Sequence, residues 1–235
     1  MYHRLRLRPI IGPLNIFGIL ALAGIAGPVV LVLADIAAAL SEPGYNLVRD
    51  SISILALTSM GWVQTIGFLV IGLMVEVFVA GLLFNIRGRW GFGFSIGLLA
   101  CFGFGLLLMG AFQMDPPSEA KTIHGTIHGL TAAGSFWVFF VSVLLLIPSL
   151  RHDPYWKDIF PYTVAAGALA LVLGVGQLWL SAETSWFGLY ERVIVVNAVI
   201  WVEVMAVRLL RLSLGKRPEV KKSDPAVPLE SGKSA

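Results

Sequence analysis

The sequence has few charged residues and a single cysteine. Charged residues make up 13% of its 235 residues, about half of the quarter that is typical of soluble domains, so the chain lacks the polar surface of a water-soluble protein. Cys101 has no second cysteine with which to form an intrachain disulfide. Phosphate-binding glycine loops, Cys-x-x-Cys pairs and haem-attachment motifs are also absent. The sequence therefore contains no recognised motif for a nucleotide, redox or haem cofactor.

What the sequence does contain is long apolar runs. Hydrophobic residues make up 57% of the chain, and the mean hydropathy is +0.83. Several runs exceed the roughly 18 residues needed to cross about 30 Å of hydrocarbon. The pattern predicts an all-α polytopic membrane protein, a six-transmembrane-helix bundle over residues 1–213, followed by a disordered cytoplasmic tail over 214–235. The predicted spans cover residues 12–38, 61–86, 91–113, 124–149, 161–182 and 190–212.

The distribution of basic residues predicts the orientation of these spans. Lys and Arg outnumber Asp and Glu by 17 to 14, but they flank apolar runs, so the excess indicates topology and not nucleic acid as a partner. Only Arg49, Lys121 and Arg192 lie in connections on one side of the spans. The positive-inside rule therefore predicts that both termini are cytoplasmic and that these three residues lie outside.

Polar residues concentrate in the three predicted outer connections. In the first connection, Val48, Ile52 and Leu55 have helical spacing, which predicts a short amphipathic helix that lies at the interface or tucks into the bundle. Asp35, near the outer end of span one, is expected to join the same region. Charges near hydrocarbon are costly unless they are paired or face a polar cavity, so an outer pocket is expected. Its predicted residues are Tyr45, Asn46, Arg49, Asp50, Ser51, Ser53, Glu191 and Arg192.

Two histidines and an aspartate near the start of span four suggest a metal site. His124 and His128 are four residues apart, so a helix places them on one face, and Asp115 precedes them in the connection. Three ligands with one open position are typical of hydrolytic zinc chemistry. The glutamate of His-Glu-x-x-His is replaced by Gly125, so a general base would come from elsewhere. A divalent metal such as zinc is the cofactor expected at this site.

Other interpretations of the polar residues stay open. Ser51 or Ser53 could act as a nucleophile with a histidine base, or could simply cap the interfacial helix, and no Gly-x-Ser-x-Gly motif accompanies them. The outer residues could also form a purely structural network. Glu76 and Glu203 lie deep in spans two and six and are compatible with a proton-coupled transporter. Small residues at spacing four in span three, Gly93, Gly97, Cys101 and Gly105, are typical of helix packing.

Three stretches of the chain resemble a known family. They are YNLVRDSISILAL, FQMDPPSEAKTIHGTIHGL and GLYERV, and they are similar to the domain of unknown function 998 (DUF998) family of prokaryotic six-span membrane proteins. The resemblance implies a prokaryotic cell (inner) membrane location and brings no assigned activity. A more distant similarity links the second stretch to DRAM-like six-helix membrane proteins, some of which act on lipids. Glu191 stands where that resemblance leads us to expect a neutral residue.

Together these observations predict a polar outer pocket that binds or processes a membrane lipid or other amphiphile. Arg49 and Arg192 would face its phosphate, with Asp115, His124 and His128 at the floor. Whether the chain is an enzyme, and which oligomeric state it adopts, are not determined by the sequence. A metal-dependent hydrolase, a structural or assembly protein and a transporter are the alternatives.

Overall fold

A computed structural model describes residues 15–116, 119–180 and 184–215, which form long helices joined by short connections. Two 3₁₀ turns, Ile52–Leu57 and Lys157–Ile159, lie in the connections, and the described residues include no strand. Six helices are long and apolar enough to cross a membrane, so the prediction of an all-α, six-span protein is confirmed. The six helices are α1 (Ile16–Ser41), α2 (Gly61–Asn85), α3 (Phe92–Ala111), α4 (Ile123–His152), α5 (Phe160–Gln177) and α6 (Phe187–Leu214).

The helix ends differ from the predicted spans by a few residues. α4 continues to His152 because Asp153 provides its C-cap, and α6 already begins at Phe187. α5 ends at Gln177, where Leu178 donates to the carbonyl three residues back and the helix tightens into a turn. The first three residues of the predicted span one, residues 181–182 of span five and the tail beyond Gly215 lie outside the described residues.

The six helices pack in a ring. Each helix contacts the next one in the chain, and α6 returns to pack on α1. Aromatic side chains fill part of the centre: the ring of Phe139 lies 5.0 Å from that of Phe102 and 5.5 Å from that of Trp201. Tilted and edge-on aromatic pairs of this kind stabilise a fold by more than the burial of their apolar area accounts for. The centre of the ring thus joins α3, α4 and α6.

A polar network closes the end of the bundle at which α2, α4 and α6 end. Asp153 is buried, and its carboxylate accepts from the backbone N–H groups of Arg87 and Tyr155, both at 2.8 Å. The indole N–H of the buried Trp156 donates to the side chain of Asn85 at 3.0 Å. These bonds tie the α2–α3 connection to the α4–α5 connection, and they give the buried carboxylate and indole their hydrogen-bond partners.

Gly72 lies where the backbones of α2 and α3 approach closely. A Cβ at Gly72 would lie 2.7 Å from the backbone nitrogen of Leu107 and 2.9 Å from the carbonyl oxygen of Gly103. A small residue lets two backbones approach in this way. In contrast, a Cβ at Gly93 or Gly97 would meet nothing within 4 Å. Among the residues that the structure describes, these two members of the predicted packing stripe therefore face no neighbouring helix.

We predict that Gly72→Ala lowers stability while Gly97→Ala does not. The added methyl group at residue 72 meets backbone atoms that cannot rotate away, and such overpacking typically costs about 1–3 kcal/mol. Thermal unfolding of the detergent-purified variants, scanned at one rate, measures the difference. Equal midpoints for the two variants would contradict the α2–α3 packing described above.

Candidate functional site

The first connection contains a compact loop, residues 45–52, which we call the docked loop. The side-chain carbonyl of Asn46 accepts from the N–H groups of Val48 and Arg49 at 2.9 and 3.2 Å. Asp50 accepts from the N–H of Asn46 at 2.9 Å and pairs with the Arg49 guanidinium at 2.6 Å. Hydrogen bonds from Arg49 hold the pKa of the Asp50 carboxyl below its ordinary value. The loop is thus organised by its own side chains.

The docked loop lies on the N-terminus of α6. The first N–H groups of a helix have no partner within the helix, and here loop carbonyls accept two of them. Gly188 donates to the carbonyl of Arg49 at 3.1 Å, and Leu189 donates to that of Val48 at 2.9 Å. The two segments approach so closely that a Cβ at Gly188 would overlap the carbonyl oxygen of Asp50.

Arg192, one turn into α6, fastens the same loop. One of its terminal nitrogens donates to the carbonyls of Leu47 and Asp50, each at 2.9 Å, and the other donates to the hydroxyl of Tyr45. The Tyr45 hydroxyl in turn donates to the carbonyl of Ser51 at 2.9 Å. Burial raises the pKa of Tyr45 to about 12, although the adjacent guanidinium acts in the opposite direction. Tyr45 is therefore a neutral hydrogen-bonding group.

Glu191 and Ser51 start the 3₁₀ turn that follows the loop. The Glu191 carboxylate accepts from the N–H of Ile52 at 2.7 Å, and the Ser51 hydroxyl caps the N–H of Ile54 at 3.4 Å. Ile52 and Leu55 are buried, so the segment tucks into the bundle. Val48, the first of the three apolar residues on which the amphipathic helix was predicted, precedes the turn and is 46% exposed. The helix is therefore shorter and tighter than its spacing predicted.

A cavity of about 180 Å³ lies behind the 3₁₀ turn, among α1, α2, α3, α4 and α6. Its polar lining is confined to Asp35, Ser53, Glu191 and Arg192, which belong to the end of the bundle that carries the docked loop. One carboxylate oxygen of Asp35 and the Nε of Arg192 are buried without a hydrogen-bond partner among the described residues. The apolar lining includes Phe68, Val75, Phe102, Met109, Phe136 and Val202.

Ser53 and His128 form a hydrogen-bonded pair beside this cavity. The Ser53 hydroxyl lies 3.0 Å from Nε2 of His128. On the other side of the ring, Nδ1 lies 2.8 Å from the carbonyl of Phe112 and 3.2 Å from that of Met109. Both side chains are buried, with 7% of Ser53 and 5% of His128 exposed. The pair connects the 3₁₀ turn with α4 and the end of α3.

Asp115 supports the N-terminus of α4 instead of pointing at the histidines. Its carboxylate accepts from the hydroxyl and the backbone N–H of Thr122 at 2.6 and 2.8 Å, and Thr122 itself caps Gly125. The Thr122 hydroxyl, followed by its N–H, holds the pKa of Asp115 below the ordinary value. A Cβ at Gly125 would overlap this carboxylate. The absence of a glutamate at position 125 therefore has a packing reason.

The chain was compared with known protein families, with curated proteins and with solved structures. The family described as protein of unknown function (DUF998) matches residues 25–208, which is most of the chain. The chain belongs to the DUF998 family. No curated protein and no solved structure matches it. The stretches that carried the resemblance meet in the structure, because the docked loop contacts the start of α6 and the Ser53–His128 pair joins the first stretch to the second.

The predicted metal ligands of this DUF998 protein do not come together. Both ring nitrogens of His128 already have protein partners, Asp115 is bonded to Thr122, and His124 is exposed beside the ring of Phe112. Among residues 15–116, 119–180 and 184–215, no group of three His, Cys, Asp or Glu side chains is placed to hold a metal. These described residues therefore do not fit a zinc site.

Most of the other predicted pocket residues do lie together at the end of the bundle that carries the docked loop, but their hydrogen-bond partners differ from those expected. Arg49 is paired with Asp50 at the surface, and Arg192 is bonded to backbone carbonyls. Glu76 lies against Gly103 of α3 and, like Glu203, does not line the cavity. The apolar lining residues were not identified from the sequence, because a helix that is apolar all round gives no signal that separates a cavity face from a lipid face.

We predict that Gly188→Ala separates the docked loop from α6, whereas Gly129→Ala leaves the site intact. A methyl group at residue 188 would overlap the Asp50 carbonyl, while one at residue 129 would meet nothing within 4 Å. A large overlap with backbone should cost about 1–3 kcal/mol. Thermal unfolding and limited proteolysis within residues 45–52 measure the effect. If Gly188→Ala matched Gly129→Ala in both, the loop would not be docked.

Proposed function

We propose that the protein binds a single-chain amphiphile, with part of its alkyl chain in the central cavity and its head group at the Asp35–Ser53–Glu191 end. The observation that carries this proposal is an apolar cavity whose polar lining is confined to one end. Ligand sites in proteins commonly combine a mostly apolar lining with a few polar groups that fix the ligand's orientation. An acyl lipid has the same division between tail and head.

The size of the cavity fits a segment of an alkyl chain. An engineered apolar cavity of about 150 Å³ binds benzene, so about 180 Å³ holds several methylene groups but not a complete lipid. Val32 and Val196 line the cavity and are nevertheless 44% and 50% exposed. Only these thin walls on α1 and α6 separate the cavity from the surface of the bundle, so we propose that the remainder of the alkyl chain extends past them into the bilayer.

The polar end favours a hydroxyl- or amine-bearing head group over a phosphate. Arg192 uses its terminal nitrogens on loop carbonyls and Tyr45, and Arg49 pairs with Asp50 outside the cavity. Asp35 and Glu191 would lie against the head group. Arg192 is the one cation in the lining, and only its Nε lacks a partner among the described residues, so a phosphate would meet two carboxyl groups and a single guanidinium. The cost of removing the phosphate from water would be poorly offset there. We therefore propose that the two carboxyl groups hold the head group by hydrogen bonds, in place of the phosphate contacts expected of Arg49 and Arg192.

We propose that the ligand enters from the outer leaflet of the membrane. The connections and helix ends at the polar end contain only three of the 17 Lys and Arg residues, and the positive-inside rule predicts that such regions lie outside. A monoacylglycerol in the outer leaflet would reach the cavity sideways, with its glycerol hydroxyls at the level of Asp35 and Glu191.

Filling the cavity should prevent binding. Ala132 lines the cavity, and its neighbour Ala133 is exposed on the same helix and absent from the lining. We predict that Ala132→Phe weakens binding of a monoacylglycerol at least tenfold, whereas Ala133→Phe binds like the wild type. Native mass spectrometry of detergent-purified protein across a monoacylglycerol titration gives the bound fraction. Equal binding by the two variants would refute the cavity as the site.

The proposed preference for a hydroxyl- or amine-bearing head group can be tested by comparing three ligands. A monoacylglycerol, an alkylamine and a lysophosphatidic acid of equal chain length should be titrated in parallel. We expect the phosphate to bind most weakly. Asp35→Asn should weaken binding of the amine more than that of the monoacylglycerol, because only the amine depends on a negative charge. Tightest binding by the phosphate would contradict the proposed role of the two carboxyl groups.

A further inference from the structure

The Ser53–His128 pair has the geometry of a nucleophile and its general base. A serine becomes nucleophilic when an adjacent base lies within about 2.6–3.2 Å of its hydroxyl and a third group orients that base. The distance from the Ser53 hydroxyl to Nε2 of His128 is 3.0 Å, and the carbonyl of Phe112 holds the other ring nitrogen at 2.8 Å. All three parts of the arrangement are therefore present.

The hydrogen bonds also fix which ring nitrogen carries the proton. Carbonyl oxygens only accept hydrogen bonds, so Nδ1 of His128 must donate to Phe112 and Met109. In the neutral ring Nε2 then has a free lone pair, and the Ser53 hydroxyl donates to it. This is the tautomer that a base needs in order to remove a proton from the serine.

The position of the serine provides access for a substrate. Ser53 lines the polar end of the cavity, while His128 lies behind it and is not among the lining residues. A carbonyl carbon at the junction between an alkyl chain and its head group would thus meet the hydroxyl first. Ser51 differs, because its hydroxyl caps the N–H of Ile54 and the residue does not line the cavity.

We propose that Ser53 is the nucleophile and His128 the general base of an acyl transfer from a monoacyl ester to water. This inference rests on the proposed amphiphile site. Ser53 Oγ bonds to the ester carbonyl carbon as its proton passes to Nε2, and the ester C–O bond breaks as that proton passes to the leaving alcohol. A water molecule then attacks the acyl-serine, gives its proton to Nε2, and releases a carboxylic acid and free Ser53 as the proton returns to the serine.

The partner of Nδ1 distinguishes this pair from a Ser-His-Asp triad. Backbone carbonyls orient the ring, and the nearby carboxylate of Asp115 is bonded to Thr122. A carbonyl dipole stabilises the imidazolium less than a full negative charge would. We therefore expect slow turnover, and covalent labelling of Ser53 is a more sensitive measurement than product formation.

The test is labelling by an alkyl fluorophosphonate, which phosphonylates activated serines. Wild-type protein in detergent should be labelled, and peptide mass spectrometry should place the adduct on Ser53. Ser53→Ala should lose the label, whereas Ser51→Ala should keep it despite the loss of a helix cap. Labelling of the wild type at any other residue, or no labelling, would overturn the proposal even if a variant failed to fold.

A second variant separates the base from a structural anchor. In His128→Asn the side-chain amide can still donate towards the Phe112 carbonyl, but nothing replaces Nε2. General-base catalysis typically contributes about 10²–10⁴-fold, so the labelling rate should fall by about a hundredfold or more while the unfolding midpoint stays near that of the wild type. An unchanged labelling rate in this folded variant would exclude His128 as the base.

The two proposals fail separately. Protein that binds a monoacylglycerol but leaves Ser53 unlabelled would retain the amphiphile site and overturn the nucleophile. Labelling of Ser53 without any monoacylglycerol binding would support the activated serine and overturn the proposed ligand. Labelling that is lost in Ala132→Phe and kept in Ala133→Phe would connect the serine to the cavity.

Discussion

The docking of residues 45–52 on the N-terminus of α6 is the interaction on which the rest of this end depends. Loop carbonyls accept from the N–H groups of Gly188 and Leu189 and from the Arg192 guanidinium, while Glu191 accepts from Ile52. Every one of these bonds joins segments more than 130 residues apart in sequence. The free N–H groups of a helix terminus and the carbonyls of a loop are both costly to bury without hydrogen-bond partners. Here the helix terminus and the loop provide these partners for each other.

This docking determines which polar groups remain for a ligand. Arg192 looks available in the sequence, but its terminal nitrogens are bonded to loop carbonyls and to Tyr45, so only its Nε lacks a partner among the described residues. The 3₁₀ turn that follows the loop carries Ser53 to the cavity and against His128. Asp35 approaches from α1 with one oxygen unpaired. At the polar end of the cavity, a backbone held by hydrogen bonds thus lies beside side chains that still have free hydrogen-bonding atoms. This combination is typical of a preorganised binding site.

The sequence predicted the class of fold well and the site only in outline. Apolar run length is enough to locate six membrane helices, and polar residues excluded from hydrocarbon must collect at their ends. Pairing of residues distant in sequence is not encoded in local spacing. His124 and His128 share helical spacing, yet His124 is exposed beside the ring of Phe112, while His128 is buried with its Nδ1 against the carbonyls of Met109 and Phe112. Gly93 and Gly97 show the same limit, since a small-residue stripe does not say whether a helix or lipid faces it.

Hydrogen–deuterium exchange of the wild type beside Arg192→Gln is the most direct test of the docking. Two peptides report on it, one covering the docked loop and one covering the start of α6, and a third around Asp153 serves as the control at the opposite end. We expect the docking to protect the first two peptides in the wild type, and we expect both to exchange faster in the variant while the third is unchanged. Rapid exchange of the loop in the wild type, or a change confined to one of the first two peptides, would contradict the docking.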